Sequence, residues 1–182
     1  VLFEGCSGGG GRFDLGILYY MPQYWTSDNT DAISRVKIQY GTSLFYPPIS
    51  MGAHVSAVPN HQVGRTTSLE MRGHVAMSGN FGYELDLRAL SEAERQQIRA
   101  QIAFYKTHRP LLQFGRFVRL RSPFESSDAA WMFLSDDHFL LFWFRLHAEA
   151  NTPSPRLKLA YLDPEAVYVE ESTGGSYTGS EL

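Results

Sequence analysis

The first candidate for chemistry is a carboxylate that follows a short aromatic and β-branched stretch. Residues 23–26 predict a strand, and Asp28 comes two residues after it. At the C-terminal end of a parallel barrel strand, a carboxylate is placed to act as a general acid/base. Asp28 can equally cap the next helix, alongside Thr30 or Asp31, because such side chains accept hydrogen bonds from helix N-termini. Spacing alone leaves both interpretations open.

A glycine-rich loop follows the first predicted strand. The apolar residues 1–6 end at Cys6, and Ser7 begins the run SGGGG over residues 7–11. Gly8, Gly9 and their neighbours allow the backbone to approach a ligand closely, but the run lacks the residues of a phosphate loop or dinucleotide fingerprint. A flexible loop without a ligand is the alternative. Cys6 has no neighbouring base, so we expect it to line a pocket rather than act as a nucleophile.

Two further residue types invite a functional interpretation. Trp25 lies three residues before Asp28 and is either a sugar platform or a core residue. His54, His61 and His74 match no zinc-binding spacing, and the chain has one cysteine. We therefore expect hydrogen-bonding histidines and no metal site.

Strands and helices alternate through the first part of the chain, which predicts a parallel α/β architecture. Strands are predicted at 1–6, 23–26, 51–58 and 81–87, and helices at 15–21, 32–41, 68–77 and from the capping box at 91–94. In the helix over 32–41, Arg35 points away from the apolar stripe. Arg109-Pro110 is expected to interrupt the last helix. These four units amount to half of a (β/α)8 TIM barrel.

The second part of the chain has a different pattern. Short strands separated by turn residues are predicted at 117–120, 130–134, 139–144, 157–159 and 166–169. They predict an antiparallel β-sandwich-like domain. The expected division is a half-barrel over 1–114, a β domain over 115–171 and a flexible tail over 172–182, because the last residues are small and polar.

Composition narrows the class of partner. The 182 residues include 16 Lys and Arg against 19 Asp and Glu, a net charge of -3. Without a basic surface, general nucleic-acid binding is unexpected, and no stretch is apolar enough for a membrane helix. The chain begins without Met and directly in an apolar strand. We expect a soluble, cytoplasmic protein cut from something longer.

Four runs of sequence closely resemble the α-galactosidases of glycoside hydrolase family 36. They are FEGCSGGG at 3–10, DLGILYYMPQ at 14–23, WTSDNTDA at 25–32 and MGAHVSAVPNHQ at 51–62. The resemblance covers about three quarters of the chain and implies a retaining glycosidase with a (β/α)8 barrel and a C-terminal antiparallel β domain. By the same resemblance, the chain begins at the fifth barrel strand.

The resemblance also implies roles for individual residues. Asp28 matches the general acid/base of the family's Trp-x-Ser-Asp motif. Cys6, Ser7, Gly8 and Gly9 match the segment that shapes the galactose pocket, with Trp25 nearby, and no cofactor is implied. The family's nucleophile is the aspartate of a Lys-Trp-Asp motif, which this sequence does not contain. It is expected upstream of Val1.

The function implied is hydrolysis of terminal α-D-galactosyl residues from oligosaccharides such as raffinose and melibiose. An α-N-acetylgalactosaminidase or a galactosyl transferase of the same fold is the alternative within the enzyme class. A non-catalytic carbohydrate-binding module is the alternative for the chain in isolation. The resemblance implies a homo-oligomer for the longer protein.

Overall fold

The computed structural model describes residues 1–6, 8–148, 150–151, 153 and 155–182. Its first part is a parallel sheet of four strands in chain order, with neighbours paired. The strands are β1 Glu4–Gly5, β2 Gln23–Trp25, β3 Met51–Ser56 and β4 Asn80–Glu84, and the helices are α1 Ala32–Thr42, α2 Leu69–Met77 and α3 Glu92–Phe114. The expected alternation of strands and helices is therefore present from β2 to α3.

The two faces of this sheet differ in chemistry. On one face, Ala53 and Val55 are fully buried against residues of α2 and α3. On the other face, Trp25 stacks on His54, and His54 Nδ1 lies 3.5 Å from a carboxylate oxygen of Glu84. Side chains of a strand alternate between its faces, so β3 places its apolar residues on the helices and its histidine on the polar side.

Side chains at the helix starts explain where the helices begin. Asp31 accepts a hydrogen bond from the backbone of Ser34 at α1, and Ser68 does the same for Met71 at α2. At α3 the expected capping box is present, since Ser91 and Glu94 each accept from the other's backbone N–H. These caps satisfy backbone donors that have no partner within the helix.

The expected interruption at Pro110 is wrong, because α3 continues through this residue to Phe114. Proline removes one backbone hydrogen bond from a helix interior. Here Tyr105 lies before the proline and Leu111 and Leu112 follow it, and all three are buried in one core. Burial on both sides of Pro110 offsets the lost hydrogen bond.

An antiparallel sheet follows α3 directly. Its strands are β5 Arg116–Arg121, β6 Asp128–Leu134 and β7 Phe139–Arg145, with β6 in the centre. Trp131 of β6 is 1% exposed and packs in the same core as Val36 of α1 and Val75 of α2. Its indole nitrogen donates to Ser78 Oγ at 2.9 Å. The antiparallel sheet and the helices of the parallel sheet thus share one core.

Three other expectations differ from the structure. The stretch 15–21 contains only a single 3₁₀ turn, Ile17–Tyr19, and the backbone nitrogen of Ile17 donates to Asp14 Oδ1 at 3.0 Å. Residues 157–159 form no strand. The segment 172–182 is not an unstructured tail, because β9 Ser176–Thr178 pairs with β8 Val167–Val169. A polar segment becomes ordered when a neighbouring strand satisfies its backbone groups.

Candidate functional site

Asp28 lies in the loop between β2 and α1, at the C-terminal edge of the parallel sheet, and it is exposed. The cap of α1 is Asp31 and not Asp28. Among the described residues, no hydrogen bond to the Asp28 carboxylate is present. The capping interpretation therefore applies to Asp31, and the Asp28 side chain is available to a ligand at this edge of the sheet.

The glycine loop after β1 contacts the Asp28 loop. Gly8, Gly9 and Gly10 have φ angles of 55°, 61° and 90°, in the left-handed region that glycine adopts without strain. A Cβ atom added to Gly9 would lie 2.8 Å from the backbone nitrogen of Asp28 and 3.2 Å from its Oδ2. A Cβ on Gly10 would clash with the carbonyl oxygen of Thr26. Only residues without a side chain allow this close approach, so the structure brings these two segments together.

Cys6 directly follows β1 and is exposed. Because β1 and β2 are parallel neighbours, Cys6 and Asp28 leave the sheet at the same edge. Ser7, the next residue expected in the site, lies outside the described residues. A Cβ on Gly8 would meet none of the other described residues within 4 Å.

Trp25 is covered by other side chains of the protein. Its ring stacks on His54 at 4.7 Å between centroids, and the Arg35 guanidinium carbon lies 4.6 Å from the ring centroid. Gly52 of β3 pairs with Trp25, and a Cβ there would lie 3.2 Å from the indole. These contacts hold the indole in place, and its contact with a sugar stays a prediction.

The expectation that Arg35 points away from the apolar stripe is wrong. Its side chain is 2% exposed, and it donates to the carbonyl oxygens of Ser27 at 3.2 Å and Gly52 at 2.7 Å. Burial lowers the pKa of the guanidinium to about 10. A signal was present in the sequence, since Gln39 lies one turn later on the same helix face and accepts from Arg35 Nε.

A second group of polar residues fixes the start of α1, and it was not predicted from the sequence. Asn60, in the loop after β3, is 4% exposed and donates to Thr30 Oγ1 at 2.9 Å. Arg65 of the same loop forms an ion pair with Asp31, the cap of α1. These contacts join residues about 30 positions apart in the chain. No local pattern reveals such a pairing.

No group of three or more metal-binding side chains is found in the described ranges. The Nδ1 atom of His54 is buried and, among the described residues, accepts or donates no hydrogen bond, although Glu84 Oε2 is 3.5 Å away. His61 and His74 are exposed.

Within the described part of the chain, no helix has the length and hydropathy needed to cross a membrane.

Comparisons with known proteins identify the family of this chain. The Melibiase family model matches residues 1–115, and the model for the glycosyl hydrolase family 36 C-terminal domain matches residues 128–182. Alpha-galactosidase AgaA of Geobacillus stearothermophilus is 64% identical over 184 residues, which cover 100% of this chain and 25% of that protein. The bifunctional alpha-galactosidase/sucrose kinase AgaSK of Mediterraneibacter gnavus is 57% identical, covering 100% of this chain and 20% of its own length.

The fold of this chain also closely matches that of a solved structure. A crystal structure of an AgaA variant in complex with raffinose superimposes with a TM-score of 0.96 at 64% identity, covering 100% of this chain and 26% of that one. The chain thus spans about a quarter of the length of the curated relatives it matches. Since the Melibiase model covers more than half of its residues, the chain belongs to the melibiases of glycoside hydrolase family 36.

Proposed function

We propose that this chain is part of a retaining α-galactosidase and that Asp28 is its general acid/base. The observation that supports this most strongly is the contact between the glycine loop and the Asp28 loop, with the Gly9 Cβ position 3.2 Å from Asp28 Oδ2. It places a carboxylate beside exposed backbone at the edge where barrel enzymes bind substrate. The names of the relatives in the comparison support the choice of α-galactosides.

The reaction requires a second carboxylate. In a retaining glycosidase, one carboxylate attacks the anomeric carbon, while the other protonates the leaving oxygen and then removes a proton from water. The two groups lie about 5 Å apart. This sequence has no Lys-Trp-Asp motif, so we propose that another part of a longer protein supplies the nucleophile. The chain alone is then inactive.

We propose further that β1 to β4 are half of a (β/α)8 barrel. Parallel sheets are buried on both faces in nearly all known folds. Here the helices cover the face with Ala53 and Val55, whereas the face with Trp25, His54 and Glu84 is polar. In a closed barrel this polar face would line the interior, with Asp28 at its C-terminal end.

The substrate is an oligosaccharide with a terminal α-D-galactosyl residue, such as raffinose or melibiose. The raffinose complex of an AgaA variant supports this class. Cys6, Ser7, Gly8 and Gly9 would shape the pocket around the galactose, since a loop of small residues lets the sugar approach the backbone. Trp25 would lie beside it. The two carboxylates need no cofactor for this chemistry.

The test of this proposal compares two leaving groups in a full-length protein that contains this chain. The variant Asp28→Asn is assayed for kcat/KM on raffinose and on 2,4-dinitrophenyl α-galactoside. Raffinose needs a proton on its departing oxygen, whereas dinitrophenolate leaves without one. We expect kcat/KM to fall by about 1000-fold on raffinose and by far less on the aryl galactoside. Equal losses on both substrates would contradict the role of Asp28 as acid.

A carbohydrate-binding module is the second candidate, for the 182 residues on their own. The absence of the Lys-Trp-Asp motif favours it. Calorimetric titration of the isolated chain with galactose would then show binding without turnover of raffinose. Hydrolysis of raffinose by the chain alone would contradict the binding-module proposal. It would also contradict the proposal that another part of a longer protein supplies the nucleophile.

The location and assembly of the longer protein are also proposals. We propose a cytoplasmic homo-oligomer, on the basis of the family resemblance alone. Cell fractionation and light scattering of the purified full-length protein test the two statements separately.

A further inference from the structure

We propose that Arg35 is a positioning residue that fixes the direction of the Asp28 carboxylate. The inference rests on the proposed function, in which Asp28 is the general acid/base. Arg35 lies in the first turn of α1, the helix that follows the Asp28 loop. Its side chain is 2% exposed, so this charged group belongs to the interior of the protein.

The guanidinium group joins β3 to the loop after β2, at the residue before Asp28. Nη1 donates to the carbonyl oxygen of Ser27 at 3.2 Å, and Nη2 donates to that of Gly52 at 2.7 Å. Ser27 is bonded directly to Asp28, so its carbonyl group belongs to the peptide plane from which the Asp28 side chain projects. Holding that oxygen against β3 restricts the rotation of the plane.

The same guanidinium group also contacts the indole of Trp25. Its central carbon lies 4.6 Å from the ring centroid, within the range of a cation–π contact. Trp25 pairs with Gly52, so the arginine contacts both members of one strand pair together with the loop that follows. The guanidinium group is rigid and planar, and its three points of contact hold the start of the Asp28 loop in a single arrangement.

In the described part of the chain, the hydrogen-bond acceptors of Arg35 are all neutral. Among the described residues, Arg35 forms no ion pair, and its third hydrogen bond goes to the amide oxygen of Gln39 at 3.4 Å. Burying a charge without an opposite charge is unfavourable. An uncharged side chain could fill the space that Arg35 occupies. Donating to the carbonyl groups of Ser27 and Gly52 at the same time requires a forked donor such as a guanidinium group. Lysine has one ammonium group on a flexible stem and cannot reproduce both bonds in the same plane.

The expected consequence is a loss of proton donation and not of galactose binding. If the Asp28 carboxylate turns away from the leaving oxygen, substrates that need a proton are affected and substrates with an acidic leaving group are spared. A small misplacement of a catalytic group lowers the rate by about 100-fold. The ratio of the two rates therefore measures positioning independently of the amount of folded enzyme.

Arg72 supplies the matched control. It is a buried arginine on α2, 7% exposed, and its Nη1 donates to the carbonyl oxygen of Ser56 at the end of β3, at 2.7 Å. Burial also lowers its pKa. Arg72 is thus a second buried arginine that donates to a backbone carbonyl of β3, but it contacts Ser56 and not the Asp28 loop.

The experiment measures kcat/KM of Arg35→Lys and Arg72→Lys in the full-length protein that contains this chain. With Arg35→Lys, we expect raffinose turnover to fall by about 100-fold and 2,4-dinitrophenyl α-galactoside turnover by less than about threefold. With Arg72→Lys, we expect both substrates to change by the same factor. Equal changes on the two substrates with Arg35→Lys would overturn the proposal, as would no change on either.

Asp28→Asn, assayed beside these variants, separates the two levels of the argument. If Asp28→Asn discriminates between the substrates and Arg35→Lys does not, the positioning role is wrong and the proposed function stands. If Asp28→Asn itself shows no discrimination, the proposed function is wrong, and the Arg35 proposal falls with it.

Discussion

The parallel and antiparallel sheets bury different kinds of residue. Around the C-terminal ends of β2 and β3, several of the buried residues are polar or charged; they include Thr26, Asp31, Arg35, Ser56 and Asn60. In the antiparallel sheet, six successive residues of β6 are buried, and Asp128 is the one polar member. The first region therefore relies on hydrogen bonds between loops, and the second relies on apolar packing.

This difference separates positioning from stability. Hydrogen bonds with directional geometry hold Ser27, the residue before Asp28, and the start of α1 in one arrangement. The apolar side chains of β6 pack on α1, α2 and α3. Changes in the loops should alter activity at nearly constant stability, and changes in β6 should alter stability at nearly constant activity of the folded protein.

The largest expected effect is on stability, at Trp131. Replacing it with alanine removes a 1% exposed indole from the shared core and its hydrogen bond to Ser78. We expect Trp131→Ala to lower the free energy of unfolding by about 4 kcal/mol. Urea unfolding of the full-length protein measures this loss. Phe45→Ala, at a residue that is 79% exposed, is the control and should change little. Similar losses in both variants would show that the shared core is not what joins the two sheets.

The next effect concerns the one buried carboxylate of β6. Arg121 and Trp143 donate to Asp128 Oδ2 at 2.8 and 2.7 Å, and Ser126 donates to the other oxygen. Burial raises the pKa of Asp128, but these hydrogen bonds outweigh burial and hold the pKa below its ordinary value. We expect Asp128→Asn to lower the free energy of unfolding by about 3 kcal/mol at pH 7.

The pH dependence of that loss follows from the direction of the shift. A carboxyl group with a lowered pKa in the folded state stabilises the fold above its unfolded pKa of about 4, and this contribution is lost as the pH falls through the folded pKa. The difference between the wild type and Asp128→Asn should therefore shrink as the pH is lowered below about 4. The exposed Asp136 provides the control variant Asp136→Asn. A difference that does not depend on pH would contradict the ion-pair account.

A smaller effect, on activity, distinguishes Gly9 from Gly8. Both have positive φ angles, of 61° and 55°, so alanine strains the backbone similarly at each. Only at Gly9 would the new Cβ meet Asp28. We expect Gly9→Ala to lower kcat/KM on raffinose by about 100-fold, or about 2.7 kcal/mol. Gly8→Ala, which strains the same pocket loop without reaching Asp28, should lower kcat/KM by a smaller factor, and equal losses would mean that backbone strain alone is responsible.

The smallest effect is expected at the start of α3, where Ser91 caps the helix. Ser91→Ala removes the capping hydroxyl, which accepts from the backbone of Glu94 at 3.3 Å. Loss of such a cap lowers the free energy of unfolding by about 1 kcal/mol. We expect unchanged kinetics with raffinose, because the hydrogen bonds of this cap join Ser91 and Glu94 to each other. A kinetic change would show that the two regions are more closely coupled than their contacts indicate.

Local sequence patterns predicted the helices, strands and turns better than the contacts between them. The capping box at Ser91 and the turn between β6 and β7 follow from residues close in sequence, and both are present. The position of Asp28 after a strand followed from the same kind of pattern. Pro110 was misjudged because tertiary burial of Leu111 and Leu112 outweighs a local preference.

The rest of the site depends on contacts between distant residues. Arg35 bonds to Gly52, which is 17 positions away, and Asn60 bonds to Thr30, which is 30 positions away. Neither pairing has a sequence pattern of its own, since each depends on how β2 and β3 align. The position of β9 beside β8 depends in the same way on strand pairing across a turn.

The central claim is that Asp28 is the acid/base of a retaining α-galactosidase, and identifying the product of azide rescue tests it most directly. The full-length protein with Asp28→Gly is incubated with 2,4-dinitrophenyl α-galactoside and sodium azide, and the product's anomeric configuration is read by NMR. With the acid/base removed and the nucleophile intact, azide attacks the glycosyl-enzyme intermediate and gives the retained product. We predict α-galactosyl azide. Formation of β-galactosyl azide, or no azide product, would contradict the claim.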